Sequence, residues 1–425
     1  MKIYLDTIGC RLNQSEIEKM AGQFRAAGHF IVDRPEDADL VVVNTCAVTA
    51  EAASDSRQKI RQAARAGVNE IVATGCWATM EPEAAANLAG VRRVVTNPEK
   101  DALVSQVLGV PEEIFDREPV SRIPLPGLHL RTRAFIKVQD GCDNHCTFCI
   151  THILRGPGRS RSLEAILTDI AAAVDGGTRE IVLTGVHLGS WGQDFENPLH
   201  LRNLVEEILA KGKMERLRLS SLEPWDLDEA FFSLWQDSRL CRHLHLPLQS
   251  GSAGTLHRMA RKTTPESFAG LVAQARATSP DIAITTDLIA GFPGETEAEF
   301  SESLAFVRSV EFAGGHVFTY SPRPQTPAAK LKDQIPPKIR KERSAALRKE
   351  IGESTERYSR RFLGQTLDVL WESATGLGPD GWRLHGLTDN YLRVSAWAPQ
   401  KLWNQISRVQ LEAAGSDGFT GKIAG

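Results

Sequence analysis

Cysteines 142, 146 and 149 lie in the stretch KVQDGCDNHCTFCITHILRGPGRSR, Lys137 to Arg161, with three and then two residues between them. A chain with this spacing has to bring three thiolates to one point from one short loop. A cubic four-iron cluster takes four protein ligands when it is purely structural, so three leave one iron open to a reactant. Zinc is the other common use of clustered cysteine, but structural zinc closes four positions, usually with two CxxC-like pairs. No second pair follows nearby. The spacing therefore favours an iron–sulfur site with an open position over a zinc knuckle.

The length of 425 residues is enough for about three domains. Net charge is −3 and the isoelectric point about 6.4, so any nucleic-acid partner has to be met by local basic patches. The N-terminus lacks a signal-peptide pattern and no long apolar run occurs, which predicts a soluble, cytoplasmic protein with no membrane partner. Seven cysteines, an odd number, argue against a disulfide framework and for cluster ligation.

Residues 1–120 contain three apolar runs, KIYLDTIGC, ADLVVVNTC and EIVATGC, ending at Cys10, Cys46 and Cys76, each followed by a helical pattern. In an α/β domain with parallel strands, ligands collect at the strands' carboxyl ends, so these three thiols are expected to meet there. A second three-thiolate site is the sharper reading; three small core residues is the plainer one. Ser15 with Glu18 reads as a capping box for the first helix. Arg57, Arg61 and Arg65, with Lys59 among them, form a stripe that is either a solvated surface or a phosphate contact.

Pro124 and Pro126 mark a linker over 121–132. Strand patterns at roughly 134–138, 180–184, 215–219, 243–247, 283–288 and 316–320, alternating with helices, predict a partial (β/α)6 barrel over 133–335 whose site lies at the strands' carboxyl ends. Thr296 with Glu299 reads as a capping box, His243 and His245 as packed side chains, and Cys241 as core. Arg155, Arg159 and Arg161, with Gly156, Pro157 and Gly158, form a loop that either grips phosphate or is solvated.

Pro336-Pro337 opens a helix over 336–362 with Leu347, Ile351, Tyr358 and Phe362 on its apolar side. From Lys338 to Arg361 it carries nine Lys or Arg against four Glu, and Arg340 and Arg343 are its candidate RNA contacts. Short apolar runs over 363–425 predict a small antiparallel β barrel, with Trp382, Tyr391 and Trp397 placed in its core rather than as stacking platforms.

These pieces, in this order, resemble the methylthiotransferases of the radical S-adenosylmethionine (SAM) superfamily over essentially the full length. GCRLNQSE, NTCAVT and TGC look like that family's auxiliary-cluster motifs, and the loop triad with Phe148 looks like its SAM-cluster motif. The resemblance implies two [4Fe-4S] clusters, one on Cys142, Cys146 and Cys149 as the catalytic centre and one on Cys10, Cys46 and Cys76. It implies SAM held near Phe148, Gly185, His187, Glu223, Gln249, Ile289, Gly291 and Phe292, and a TRAM-like last domain that binds tRNA. One SAM would methylate sulfur, and a second would give the radical that takes hydrogen from adenine C2. An electron donor such as flavodoxin or ferredoxin and a sulfur source are implied partners. LTGVHLGSWG, RLSSLEP, HLHLPLQSG, AITTDLIAGFPGE and HVFTYSPRPQTPA look most like the branch acting on threonylcarbamoyladenosine in tRNA. The alternatives are the branches acting on isopentenyladenosine in tRNA or on a ribosomal-protein aspartate, and, in another class, a non-catalytic iron–sulfur RNA-binding protein. Where the family commonly has Ile-Pro after the third cysteine, this chain reads Thr151-His152-Ile153-Leu154, a departure that bears on local substrate contacts.

Overall fold

The computed structural model describes residues 1–117, 132–378, 381–415 and 417–424. The expected linker prolines, Pro124 and Pro126, lie outside the described residues. Strands β1 (Lys2–Thr7), β2 (Phe30–Ile31), β3 (Leu40–Thr45), β4 (Ile71–Gly75) and β5 (Val91–Val95) form one parallel sheet in the order β2-β1-β3-β4-β5. The run LVVVNT in β3 is buried at every position, as a central strand covered on both faces requires. The helix Arg11–Ala26 starts immediately after Cys10, which occupies its N-cap. Ser15 is therefore inside the helix rather than at its cap, and its hydroxyl instead accepts the Lys137 N–H at 3.1 Å. The helix Ala50–Arg65 is capped by Thr49, and the short helix Cys76–Met80 begins on Cys76 itself.

The central region contains β6 (Arg133–Lys137), β7 (Gln139–Asp140), β8 (Arg159–Ser160), β9 (Glu180–Thr184), β10 (Arg216–Leu219), β11 (His243–His245), β12 (Ala283–Ala290) and β13 (Gly314–Thr319). Six of these form two parallel three-stranded sheets, β10-β9-β6 and β11-β12-β13, and bridges at Leu217 with Leu240 and Ser221 with His245 join them. β7 and β8 pair as a small antiparallel ribbon that closes the cysteine loop. The core is one cluster fed by alternate residues of these strands and the helices behind them, including Ile181, Leu217, Leu244, Ile284, Val307 and Phe312. Each such fully buried aliphatic or aromatic side chain contributes about 1.5–3 kcal/mol. The expected capping box at Thr296 and Glu299 opens the helix Glu297–Val310, with both reciprocal hydrogen bonds present.

The helix Pro337–Arg360 lies against this region, with Leu347 and Ile351 in the main core and the Tyr358 hydroxyl donating to Asp281 O. Beyond it, β14 (Thr366–Gly378), β15 (Gly381–Thr388), β16 (Arg393–Ala398), β17 (Ile406–Gly415) and β18 (Gly418–Ile423) close into a barrel in the order β14-β15-β16-β18-β17. Closure requires β16 and β18 to pair in parallel, so the barrel is not wholly antiparallel as expected. Such closure leaves no open sheet edge. Of the three aromatics, Trp397 is 46% exposed and so differs from the core placement, while Tyr391 packs partly against the barrel core and also stacks on His243 of β11, ring centroids 4.2 Å apart. Trp382 is half-buried beneath the Lys401 ammonium.

Candidate active site

The loop carrying Cys142, Cys146 and Cys149 leaves β7 at the carboxyl end of the first central strand. Gly141 precedes it with φ +73°, and a Cβ there would lie 1.8 Å from Pro157 O, so the loop closes on its own return only with glycine. The Cys142 N–H donates to Gly156 O, and Thr147 is fixed through its N–H to Met259 O and its hydroxyl to Arg258 O. Polar hydrogens are turned toward all three sulfurs. The Asn144 N–H reaches Cys142 Sγ at 3.4 Å, the Thr151 N–H reaches Cys149 Sγ at 3.4 Å, and Arg261 reaches Cys146 Sγ at 3.7 Å. Such donors suit thiolate sulfur carrying metal charge. Burial pushes the Cys146 thiol up to about 11 although Arg261 opposes it. Arg261 is held by Glu223 at 2.6 Å, by Pro247 O and by the face of Trp225. His187 bonds Asp226 at 2.6 Å and Asn144 at 3.3 Å; burial favours its neutral ring, but Asp226 beside it holds the imidazole up to about 10.

A second triad lies at the carboxyl edge of the N-terminal sheet. Cys46 and Cys76 directly follow β3 and β4 and Cys10 lies three residues past the end of β1, and each thiol is within electrostatic reach of another. Gly9 has φ +109° and a Cβ there would lie 2.8 Å from Cys46 Sγ; Gly75 has φ +92° and its Cβ would lie 2.4 Å from Thr45 O. Glycine before Cys10 and before Cys76 is what lets the strand ends close up. The Asn97 amide N–H reaches Cys76 Sγ at 3.5 Å, and Cys10 Sγ lies 3.8 Å from Asn13 Oδ1. Burial pushes the Cys46 thiol up to about 12. Among the described residues no three His, Cys, Asp or Glu side chains close around a single ion. A four-iron cube takes one thiolate per corner and so needs wider spacing than one ion does.

Between the triads runs a buried ion network absent from the sequence reading. Glu16 accepts from Lys100 at 2.8 Å and from Arg155 at 2.8 Å, and Arg155 also bonds Asp140 and Asn13. Arg155 is only 4% exposed, so it ties two domains together and is not a phosphate grip, in contrast to the expectation. Arg159 is exposed on the loop, and Arg161 is half-buried on Asp169 and Lys137 O. Arg343 is 7% exposed between Glu295 and Glu297, which corrects its reading as an RNA contact, while Arg340 donates to Tyr320 O.

A cavity of about 180 Å³ opens beside the loop triad, lined by Val48, Thr49, Phe148, Gln249, Ile289 and Phe318 among others. Val48 and Thr49 follow Cys46, so the N-terminal domain supplies one wall and the central strand ends the other. Asp287 Oδ1 and the Tyr320 hydroxyl, on residues of the same lining, are buried without a hydrogen-bond partner among the described residues. Gly291 stands under Arg340, where a Cβ would lie 2.2 Å from Cγ. Gly185 and Glu223 sit nearer the cysteine loop, against Gln139 and Arg261. Phe292 is fully buried with Met259 and Tyr320 and is not among the residues lining this cavity.

Residues 2–96 match the family described as Uncharacterized protein family UPF0004, and residues 136–307 match the Radical SAM superfamily. The chain is 34% identical to threonylcarbamoyladenosine tRNA methylthiotransferase MtaB of Bacillus subtilis (strain 168), covering 96% of this chain and 93% of that one. It is 38% identical to MtaB of Thermotoga maritima, over 87% and 86% of the two chains. The chain belongs to the radical SAM methylthiotransferase family. Membership of the superfamily implies a [4Fe-4S] cluster and SAM. Another relative, the tRNA-2-methylthio-N(6)-dimethylallyladenosine synthase of Geobacillus thermodenitrificans, is 33% identical over 100% of this chain and 83% of its own. Among solved structures, the radical SAM methyltransferase TsrM from Kitasatospora setae aligns with TM-score 0.58 at 16% identity over 77% of each chain, a likeness of fold alone.

For this methylthiotransferase the sequence reading found both triads but missed the side chains around them. Asn13 and Glu16 stood inside the quoted string GCRLNQSE, which was a usable signal. Arg261, Asn97 and Lys100 carry none, because only the fold brings them to sulfur or to Glu16.

Proposed function

We propose that this chain installs a methylthio group on C2 of N6-threonylcarbamoyladenosine at position 37 of tRNA, consuming one SAM as methyl donor and a second as radical source. The observation that carries the reading is the pair of three-cysteine sites on the two domains that supply opposite walls of one cavity. When bound, a cluster on Cys142, Cys146 and Cys149 supplies the electron that cleaves SAM, and one on Cys10, Cys46 and Cys76 supplies the sulfur chemistry. A C–H bond on a purine carbon is neither acidic nor nucleophilic, so acid–base side chains alone do not suffice. The protein's task is to orient and to exclude water. Phe148, Ile289 and Phe318 give apolar walls, and Asp287 Oδ1 and the Tyr320 hydroxyl offer unpaired polar atoms for a bound ligand's edge. Arg261 and His187 hold their positions beside the loop sulfurs through Glu223 and Asp226.

The domain reading is 1–120 for the auxiliary-cluster domain, 121–132 for the linker, 133–335 for a partial (β/α)6 barrel, 336–362 for the connecting helix and 363–425 for a TRAM-like tRNA-binding barrel. An anticodon-loop adenosine is already unpaired, which suits extrusion into a cavity mouth. Exposed Arg159, with Lys338 and Lys341 at the start of the helix that touches Gly291, offers phosphate contacts there. Flavodoxin or ferredoxin would deliver electrons in the cytoplasm, and a sulfur source would replenish the site.

Nucleoside mass spectrometry of tRNA from a host lacking its own enzyme, with and without this gene, tests the reading. A methylthio mass gain on threonylcarbamoyladenosine supports it. A gain on isopentenyladenosine moves the chain to the branch of its 33%-identical relative. No change in any tRNA nucleoside overturns both.

A further inference from the structure

The five-residue helix Thr151–Arg155 begins two residues after Cys149 and ends inside the N-terminal cysteine site. Ile150 and Leu154 are buried with Cys76 and Trp77 in one apolar cluster. Leu154 O accepts from the Asn97 amide at 3.2 Å, and the same NH2 group reaches Cys76 Sγ. Arg155 Nη2 donates at 2.8 Å to Asn13 Oδ1, which lies 3.8 Å from Cys10 Sγ. One short element thus starts two residues beyond a loop-triad ligand and ends in a buried guanidinium beside the second triad.

Asn97 is a costly residue to keep as mere packing. Its Oδ1 is buried with no partner among the described residues, a cost to folding, while both amide hydrogens are committed to Leu154 O and to sulfur. Turning the amide over would set oxygen against oxygen. Arg155 brings its positive charge to the Asn13 side chain beside Cys10, with Glu16 offsetting part of it. N–H donors to sulfur and nearby positive charge both favour the more reduced, more negative state of an iron–sulfur cluster.

We propose that Asn97 and Arg155 are positioning residues that raise the reduction potential of the cluster held by Cys10, Cys46 and Cys76. This rests on the two-cluster reading above. The test uses the full chain with Cys142, Cys146 and Cys149 all changed to Ala, reconstituted anaerobically, so that one cluster is titrated by redox potentiometry with electron paramagnetic resonance detection. Relative to that parent, Asn97→Ala and Arg155→Met should lower the midpoint potential, Asn97→Asp should lower it further by replacing a donor with a charge, and Arg155→Lys should restore most of the loss. Iron content and thermal unfolding are read alongside. Should Arg155→Met not fold, the Asn97 pair decides alone, because an amide-to-carboxylate change leaves the volume unchanged. Unmoved midpoints in variants that retain iron overturn the proposal and leave both residues as packing. A parent that binds no iron overturns the two-cluster reading itself, and the proposal with it.

Discussion

Gly75 shows how much one backbone angle can decide. Its φ of +92° and the Thr45 oxygen 2.4 Å from any Cβ mean that Gly75→Ala must move β3 or β4. The expected cost is about 2 kcal/mol or more in urea unfolding, with iron bound at the neighbouring triad lost in a metal assay while the loop triad's iron remains. The glycine was visible in TGC; its collision with the next strand was not, since that depends on a partner far away in sequence. His243 gives a pH signature of its own. Burial and the Arg218 charge hold its imidazole well below the ordinary value, so the folded protein keeps it neutral while the unfolded chain protonates it below about 6.5. Stability is therefore fully present above that pH and falls as the medium is acidified, by about 1.4 kcal/mol per pH unit for this one proton. His243→Phe, which keeps a ring beneath Tyr391, should flatten that part of the slope in a series of unfolding curves.

The helix Pro337–Arg360 separates cations that sequence alone could not sort. Its apolar side was legible from Leu347, Ile351 and Tyr358 at helical spacing, all of which are buried. Arg340 and Arg343 were read as its RNA contacts, yet Arg343 turns inward to Glu295 while Lys338 and Lys341 stay exposed, without an ion pair among the described residues. Which arginine turns in depends on an acidic partner at the start of another helix, information that no window along the chain contains. Arg343→Ala leaves Glu295 buried and unpaired, and should cost about 3–5 kcal/mol in denaturant unfolding. Lys338→Ala with Lys341→Ala should leave stability nearly unchanged and lower the slope of log affinity for tRNA against log salt by about 1 per residue, measured by filter binding. An unchanged salt slope would remove this helix from the RNA surface.

At the scale of the whole molecule the C-terminal barrel is locked to the central strands by charge. Arg218, fully buried, is bound to Glu180 at 2.7 Å and donates to Asp389 O and Thr388 O; Arg216 reaches Leu387 O and Asp368 O; Arg242 pairs with Asp389. Tyr391 completes the lock, its hydroxyl accepting from Arg11, the residue after Cys10. Arg218→Ala should cost about 3–5 kcal/mol and make the barrel separable by limited proteolysis under conditions that leave the parent intact. The parallel direction of the six central strands was legible because short strand patterns alternate with helical ones along the chain. The interfaces were not. Arg216 and Arg218 alternate with leucines along a strand, a pattern that does not say what they meet, and Arg155 stood in a glycine-rich loop that read as either a phosphate grip or a solvated surface.

The two triads also differ in when they exist. Cys142, Cys146 and Cys149 are neighbours along the backbone, and closing so short a loop costs an unfolded chain little. Cys10, Cys46 and Cys76 become neighbours only after three parallel strands have paired through helical crossovers, the slow, non-local kind of assembly. Iron offered to a nascent chain thus meets one site that is ready early and another that has to wait for the sheet.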